Sequence, residues 1–221
     1  NGGRIRNFWL ARALARRHRV AVVVDRPLAP ELVAGLGAAG LVVVALPKPR
    51  SRPVGYARAL AAGAPPDLAL QANARARAFL ARTRCDVVLV GTIGQLGNLP
   101  TRTPGGPRVV VDTHNVEHLR AARDRAAATG ARDRLRRGLG TLGMARYERR
   151  ALCRADLVVA CSGPDRDALV ALGAPHVAVV ANGVDLGHFT PAPPPPGPPV
   201  VAMTGDLAYA PNAAAARWLA R

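Results

Sequence analysis

A chain of 221 residues that is 49% hydrophobic and 20% charged can bury one or two cores, which excludes an intrinsically disordered protein. No apolar run approaches the roughly 18 residues of a spanning helix. The net charge of +17 suggests nucleic acid, but aromatics make up only 4% and Lys48 is the only lysine among 31 basic residues, a bias that a GC-rich genome produces. With few stacking groups and arginines spread along the chain, no nucleic-acid partner is expected. An anionic membrane surface, which needs charge and no base-reading groups, is the partner this charge permits.

The chain opens on "NGGRIRNFWLARAL", without Met and without a signal-peptide core, so the natural N-terminus is expected upstream. Gly2 and Gly3 stand before a helical pattern over 4–17. A glycine-rich approach to a helix is an anion site when a strand precedes it, and otherwise a plain turn. Near-continuous apolar runs at 19–24, 41–46 and 86–91 read as parallel strands covered on both faces. A helix is predicted over 67–82.

The next strand, 108–113, runs directly into Asp112, Thr113, His114, Asn115, Glu117 and His118. In open α/β sheets ligands sit beyond the carboxyl ends of strands, so this polar edge is a candidate site. His114 can donate or accept near neutral pH, and Asn115 and Glu117 can hold a hydroxyl-rich ligand. The structural alternative has Asn115 capping a helix with Glu117 and His118 in its first turn. A single amphipathic helix is predicted over 132–154, with a stripe of Leu135, Leu139, Leu142, Ala145 and Leu152 and a basic opposite face.

Further strands are predicted at 156–161 and 176–181, with a helix over 165–172 between them. Ser162 is placed either to cap that helix or to touch a ligand. Asn182 and Gly183 read as a turn, with Asp185 and Phe189 at a packed junction beyond it. Seven prolines within residues 190–199 favour a polyproline spacer of roughly 30 Å at ~3.1 Å per residue. A seventh strand, 199–205, a turn at Gly205 and a helix begun by Pro211 would then open a second domain. The alternation of strands and helices predicts an α/β fold with a Rossmann-like, doubly wound parallel sheet over 1–189, a linker over 190–199 and one β–α unit over 200–221. Cys85, Cys153 and Cys161 form no metal-binding spacing and are expected as buried thiols in a reducing cytoplasm.

Taken together, "DTHNVE", "ADLVVACSGPD", "VVANGVDLGHF" and "MTGDLAYAPNAAAARWL" resemble the GT-B glycosyltransferases of family 4. Tyr209, Pro211, Asn212 and Trp218 look like the subgroup that builds exported polysaccharides and related glycoconjugates. The resemblance implies a two-domain enzyme that transfers sugar with retention from a nucleotide-sugar to a glycan or lipid-linked acceptor. It implies no metal and no cofactor beyond that donor substrate; the cysteines and the basic charge, for their part, give an expected location in the cytoplasm, at or near the inner face of the membrane. It places Gly2 and Gly3 at the donor diphosphate, with Gly205 opening the phosphate-facing turn of the donor side. It sets His114 beside the reacting sugar, and Asn182, Gly183 and Asp185 at the crossover. Asn115, Glu117, Ser162 and Asn212 complete the candidate cleft. The family's acidic motif, two glutamates eight positions apart, is absent: Glu31, Glu117 and Glu148 are the only glutamates. The chain thus reads as an acceptor domain with the start of a donor domain. The rival readings are a basic, non-catalytic α/β module and another GT-B-like enzyme such as a nucleotide-sugar epimerase.

Overall fold

The structure, a computed structural model, describes residues 2–48, 65, 68, 71–128, 130–141, 143–190, 192, 193, 196–198, 200–208 and 210–220. The chain divides into two compact units, Asn1–Gly183 and Val184–Arg221.

In the first unit α1 (Gly2–Ala15) leads to β1 (Val20–Val24), α2 (Pro30–Ala38) and β2 (Leu41–Ala45). Then come α3 (Ala74–Arg82), β3 (Val87–Val90), a 3₁₀ helix (Ile93–Asn98), β4 (Arg108–Asp112) and α4 (Glu117–Ala126). The unit continues with α5 (Ala131–Thr141), α6 (Met144–Leu152), β5 (Leu157–Ala160), α7 (Gly163–Ala171) and β6 (Val177–Val179). The strands form two parallel sheets, β1-β2 and β3-β4-β5-β6. Val88 lies opposite Val109, Val111 opposite Val158, and Val159 opposite Ala178. Parallel neighbours require crossover connections, and helices supply them. This is the Rossmann-like α/β architecture that the apolar strand runs predict. Val111, Val158, Ala160, Leu152 and Leu169 are fully buried at the centre of the core.

Three expectations need correction. The helix predicted over 132–154 is two helices, broken at Gly143, whose φ of +76° is left-handed. A side chain there would be strained, so glycine lets α6 leave α5 in a new direction. Leu135 consequently sits 65% exposed on α5, whereas Leu152 on α6 is buried, so the two do not share one packed stripe. Leu142 lies outside the described residues. The strand predicted over 199–205 does not form at residues 200–205, where Val200 and Val201 are exposed. A strand needs a ladder partner and apolar cover, and the described residues of the second unit provide neither. Finally, Cys153 is exposed and neither Cys85 nor Cys161 is fully buried.

Other boundaries follow local chemistry. Asn73 caps α3, its Oδ1 accepting from the Arg75 N–H at 3.0 Å. Asp67, Ala69 and Leu70, at the start of the predicted helix, lie outside the described residues. The sequence reading names no helix over 30–38, although Pro30 at its first turn and Glu31 beside it are standard start signals. In the second unit α8 (Ala210–Leu219) forms where a helix beginning near Pro211 is predicted.

The start of α4 is held by a distant residue. Val116 occupies the N-cap position, which the structural alternative gives to Asn115, and offers no side-chain acceptor. Glu148 of α6 takes over that role and is completely buried. Its Oε1 accepts from the Glu117 N–H at 2.8 Å, and its Oε2 accepts from the His118 N–H at 2.9 Å. His118 Nδ1 lies 2.7 Å from the same Oε2. One carboxylate thus closes two open donors of a helix N-terminus and locks α4 to α6. Glu148→Ala would strand both N–H groups, a loss of about 3 kcal/mol on the usual cost of buried charge-assisted bonds. Thermal unfolding is expected to fall by roughly 6–12 °C for a domain of this size. Glu148→Gln, which keeps an acceptor, should lose less than Glu148→Ala.

Candidate functional site

The carboxyl end of β4 is tied to α1 by a buried ion pair. Asp112 is 1% exposed, and the Arg6 guanidinium meets it in a fork. Arg6 Nε donates to Oδ2 at 2.8 Å and Nη2 to Oδ1 at 2.7 Å. The remaining nitrogen, Nη1, donates to the Ala181 carbonyl at 3.2 Å and to Asn182 Oδ1 at 3.1 Å. The bond to Asp112 raises the Arg6 pKa above its ordinary value. One side chain therefore joins the first helix, the end of β4 and the segment after β6. Thr113, also buried, continues the strand edge: its hydroxyl donates to the Val159 carbonyl at 2.9 Å, and Cys161 Sγ donates to the Thr113 carbonyl. Burial pushes the Cys161 thiol pKa up, so it sits there as a neutral thiol.

His114 lies one residue further and packs on Gly3. A Cβ built on Gly3 would stand 3.2 Å from His114 Cδ2 and 3.3 Å from Nε2, so any larger residue presses on the imidazole. A Cβ on Gly2 would meet open space, so only one glycine of the pair is sterically required. Both glycines belong to the first turn of α1, not to a loop before it as predicted. His114 Nε2 is buried with no hydrogen-bond partner among the described residues. Desolvation lowers the His114 pKa below its ordinary 6.5; Arg6 lowers it further, while Asp112 and Glu117 act in the opposite sense. The result is a neutral imidazole whose Nε2 is buried and unpartnered among the described residues. A buried polar atom without a partner costs on the order of 1–3 kcal/mol, and such atoms concentrate where function requires them.

Asn7, one turn beyond Gly3, carries the same face of α1 to the end of β3. A Cβ on Gly91 would fall 2.7 Å from Asn7 Nδ2. Beside it the Thr92 hydroxyl donates to Gln71 Oε1 at 2.6 Å, and Gln95 Oε1 accepts from the Gly91 N–H at 3.3 Å. Gly94 in turn permits the close approach of Gln71. This neutral amide and hydroxyl cluster escaped the sequence reading, as did Arg6. Its signal was present in "GTIGQLGN", a glycine-rich polar stretch after a strand.

The other predicted residues divide by place. Asn115 is exposed, and Glu117 pairs with Arg120 at 2.7 Å. Ser162 is the N-cap of α7, its Oγ accepting from the Asp165 N–H at 3.2 Å and donating to Asp165 Oδ2 at 2.7 Å. Asn182 is linked to Asp112 through Arg6, and a Cβ on Gly183 would meet open space. In the second unit Asp185 Oδ1 accepts from the Gly187 N–H at 3.0 Å. Gly205 packs against Asn212, whose Nδ2 donates to the Asp206 carbonyl at 3.0 Å. Among the described residues no cluster of three His, Cys, Asp or Glu side chains is placed to hold a metal ion.

The clamp makes a measurable claim. Removing one member of a buried pair leaves an uncompensated charge, so Arg6→Met and Asp112→Leu should each cost about 3–5 kcal/mol, whereas the double variant should recover much of that loss. A double-mutant cycle in urea checks this; additive losses would mean that the two side chains act independently.

The family model described as Glycosyltransferase Family 4 matches residues 1–188, which include α1, both sheets and the His114 edge. Neither the curated proteins nor the solved structures give a match. With the greater part of its length matched by that model, the chain belongs to glycosyltransferase family 4.

Proposed function

We propose that residues 1–183 form the acceptor side of a retaining glycosyltransferase that takes a nucleotide-sugar donor, and that the second unit begins the donor side. The acceptor is a glycan or lipid-linked sugar in polysaccharide or glycoconjugate synthesis. The observation that carries this reading is His114: a neutral, half-buried imidazole at a strand's carboxyl end, backed by Gly3, with Nε2 unpartnered. Neutral imidazole can hydrogen-bond a sugar hydroxyl without adding charge next to the anomeric centre, where positive charge develops as the sugar–phosphate bond breaks. The first turn of α1 at Gly2 and Gly3 turns the positive end of a helix dipole to the departing diphosphate. The amides of Asn7 and Gln71 and the Thr92 hydroxyl suit a hydroxyl-rich acceptor, since each can donate and accept.

The chain's carboxylates also bear on the reaction. Glu148 is fully occupied at the start of α4, Glu117 is paired with Arg120, and Glu31 is exposed on α2. None forms the family's acidic pair, so residues 1–221 alone are proposed to be inactive and to need donor-side carboxylates. A second reading concerns location. Arg132 is exposed on α5 with the exposed Leu135, and Arg146, Arg149 and Arg150 are exposed on α6; exposed basic and apolar groups of this kind suit an anionic leaflet. Among the described residues no helix is long and apolar enough to cross a membrane, so any such contact would be peripheral.

His114→Ala, introduced into a form of the enzyme that transfers sugar, is expected to lower kcat by at least ~100-fold with little change in melting temperature. Transfer within threefold of wild type would remove His114 from the chemistry. Residues 1–221 alone should release no nucleoside diphosphate above background in a coupled assay with nucleotide-sugar and acceptor. Turnover by that chain would overturn the proposed division of labour.

A further inference from the structure

Away from His114, the α4–α5 hairpin and the start of α6 border a groove of about 590 Å³. Its polar lining is His118, Arg125, Arg134 and Thr141; the rest is three alanines and Met144. We propose that this groove binds a phosphate group carried on a small organic moiety, either a soluble phosphomonoester or a lipid phosphate headgroup.

Three observations carry the proposal. The first is charge. Arg125 and Arg134 form no ion pair among the described residues, and no carboxylate lines the groove. Asp124, next to Arg125 in sequence, is already paired with Arg120. Arg125 lies along the backbone of α5, where a Cβ on Gly138 would stand 3.7 Å from its Nε. Two guanidinium groups over one concavity repel each other unless an anion sits between them, and forked N–H donors match phosphate oxygens.

The second is His118. Glu148 accepts two backbone N–H groups, one on each carboxyl oxygen. His118 Nδ1 lies 2.7 Å from Glu148 Oε2, so Nδ1 is engaged there and Nε2 is the nitrogen left for the groove. Glu148 thus orients His118 as well as capping α4.

The third is the start of α6. Gly143 provides no side-chain cap, and Met144 and Ala145, the first two residues of the helix, line the groove. Their N–H groups and the helix dipole favour an anion at the place the arginines border. Thr141 has no proton to give a ligand, because its hydroxyl donates to the Gly138 carbonyl at 2.8 Å, so it contributes shape alone. The volume falls in the range of small-molecule sites, roughly 300–1,000 Å³, larger than bare phosphate needs. That argues for an organic phosphate and not the inorganic ion. Binding in this groove does not rest on the transfer reading above.

The test uses the 221-residue chain and two probes. Glycerol phosphate is titrated by calorimetry, and vesicles of phosphatidic acid in phosphatidylcholine are compared with pure phosphatidylcholine by co-sedimentation. Arg125→Ala and Arg134→Ala are each expected to weaken binding at least ~10-fold, the size of one lost charge-assisted bond. Arg82→Ala, an exposed arginine on α3, should leave it unchanged. Binding of glycerol phosphate with that dependence supports a soluble ligand; binding only to phosphatidic acid vesicles, with the same dependence, supports a lipid ligand. No binding of either probe, or equal losses for all three arginine variants, overturns the proposal. An active enzyme whose chain fails this binding test refutes the groove alone. A chain that binds phosphate in an enzyme that transfers no sugar refutes the transfer reading alone.

Discussion

The Arg6–Asp112 pair is the constraint on which the site depends. A buried ion pair contributes little net stability, because desolvating two charges costs about what their attraction returns. Its value here is positional. The guanidinium has a fixed fork, and all three of its nitrogens are engaged, two by Asp112 and one by the segment after β6. The first helix cannot slide along the sheet without breaking every one of those bonds. Gly3 and Asn7, on either side of Arg6, are therefore delivered to the ends of β4 and β3. Gly3 meets His114, and Asn7 meets Gly91.

The same clamp accounts for the electrostatics of His114. Burial alone would depress the pKa of the imidazole, while Asp112, two residues earlier, would raise it. Arg6 neutralises that carboxylate and adds its own opposing charge, so desolvation prevails. A net charge of +17 gives the protein a strong basic field, yet the atoms presented at the strand ends are neutral: an imidazole, amides and a hydroxyl. Arg125 and Arg134, which form no ion pair among the described residues, lie elsewhere, in the groove beside α4. The molecule thus separates a neutral, hydroxyl-matching edge from a cationic, phosphate-matching one.

The parallel strands were legible because burial on both faces writes itself as uninterrupted Val and Ala runs. His114 was legible because a cluster of polar residues after such a run has few structural explanations. Arg6 and Glu148 were not, for one shared reason. Each is a charged residue in an arginine-rich amphipathic stretch, and only a partner 106 or about 30 residues away makes it a core residue. Local pattern assigns such a side chain to solvent. The break at Gly143 was visible as a glycine but not as a left-handed one. The failed strand at 200–205 shows the converse: a good local pattern forms no strand without a neighbour to pair with.

The central claim is that the clamp holds His114 neutral and desolvated at the cleft edge, and an NMR titration of its imidazole tests it most directly. The His114 resonance, assigned by its loss in His114→Gln, is predicted to titrate below 6.5 in the wild-type chain. In Arg6→Met it should move upward, because the Asp112 carboxylate would then favour the imidazolium. By linkage, the group's contribution to stability is then full above 6.5 and declines as pH falls through the native value, where the unfolded chain binds the proton more readily. Titration at or above 6.5 in the wild type, unmoved by loss of Arg6, would contradict the account.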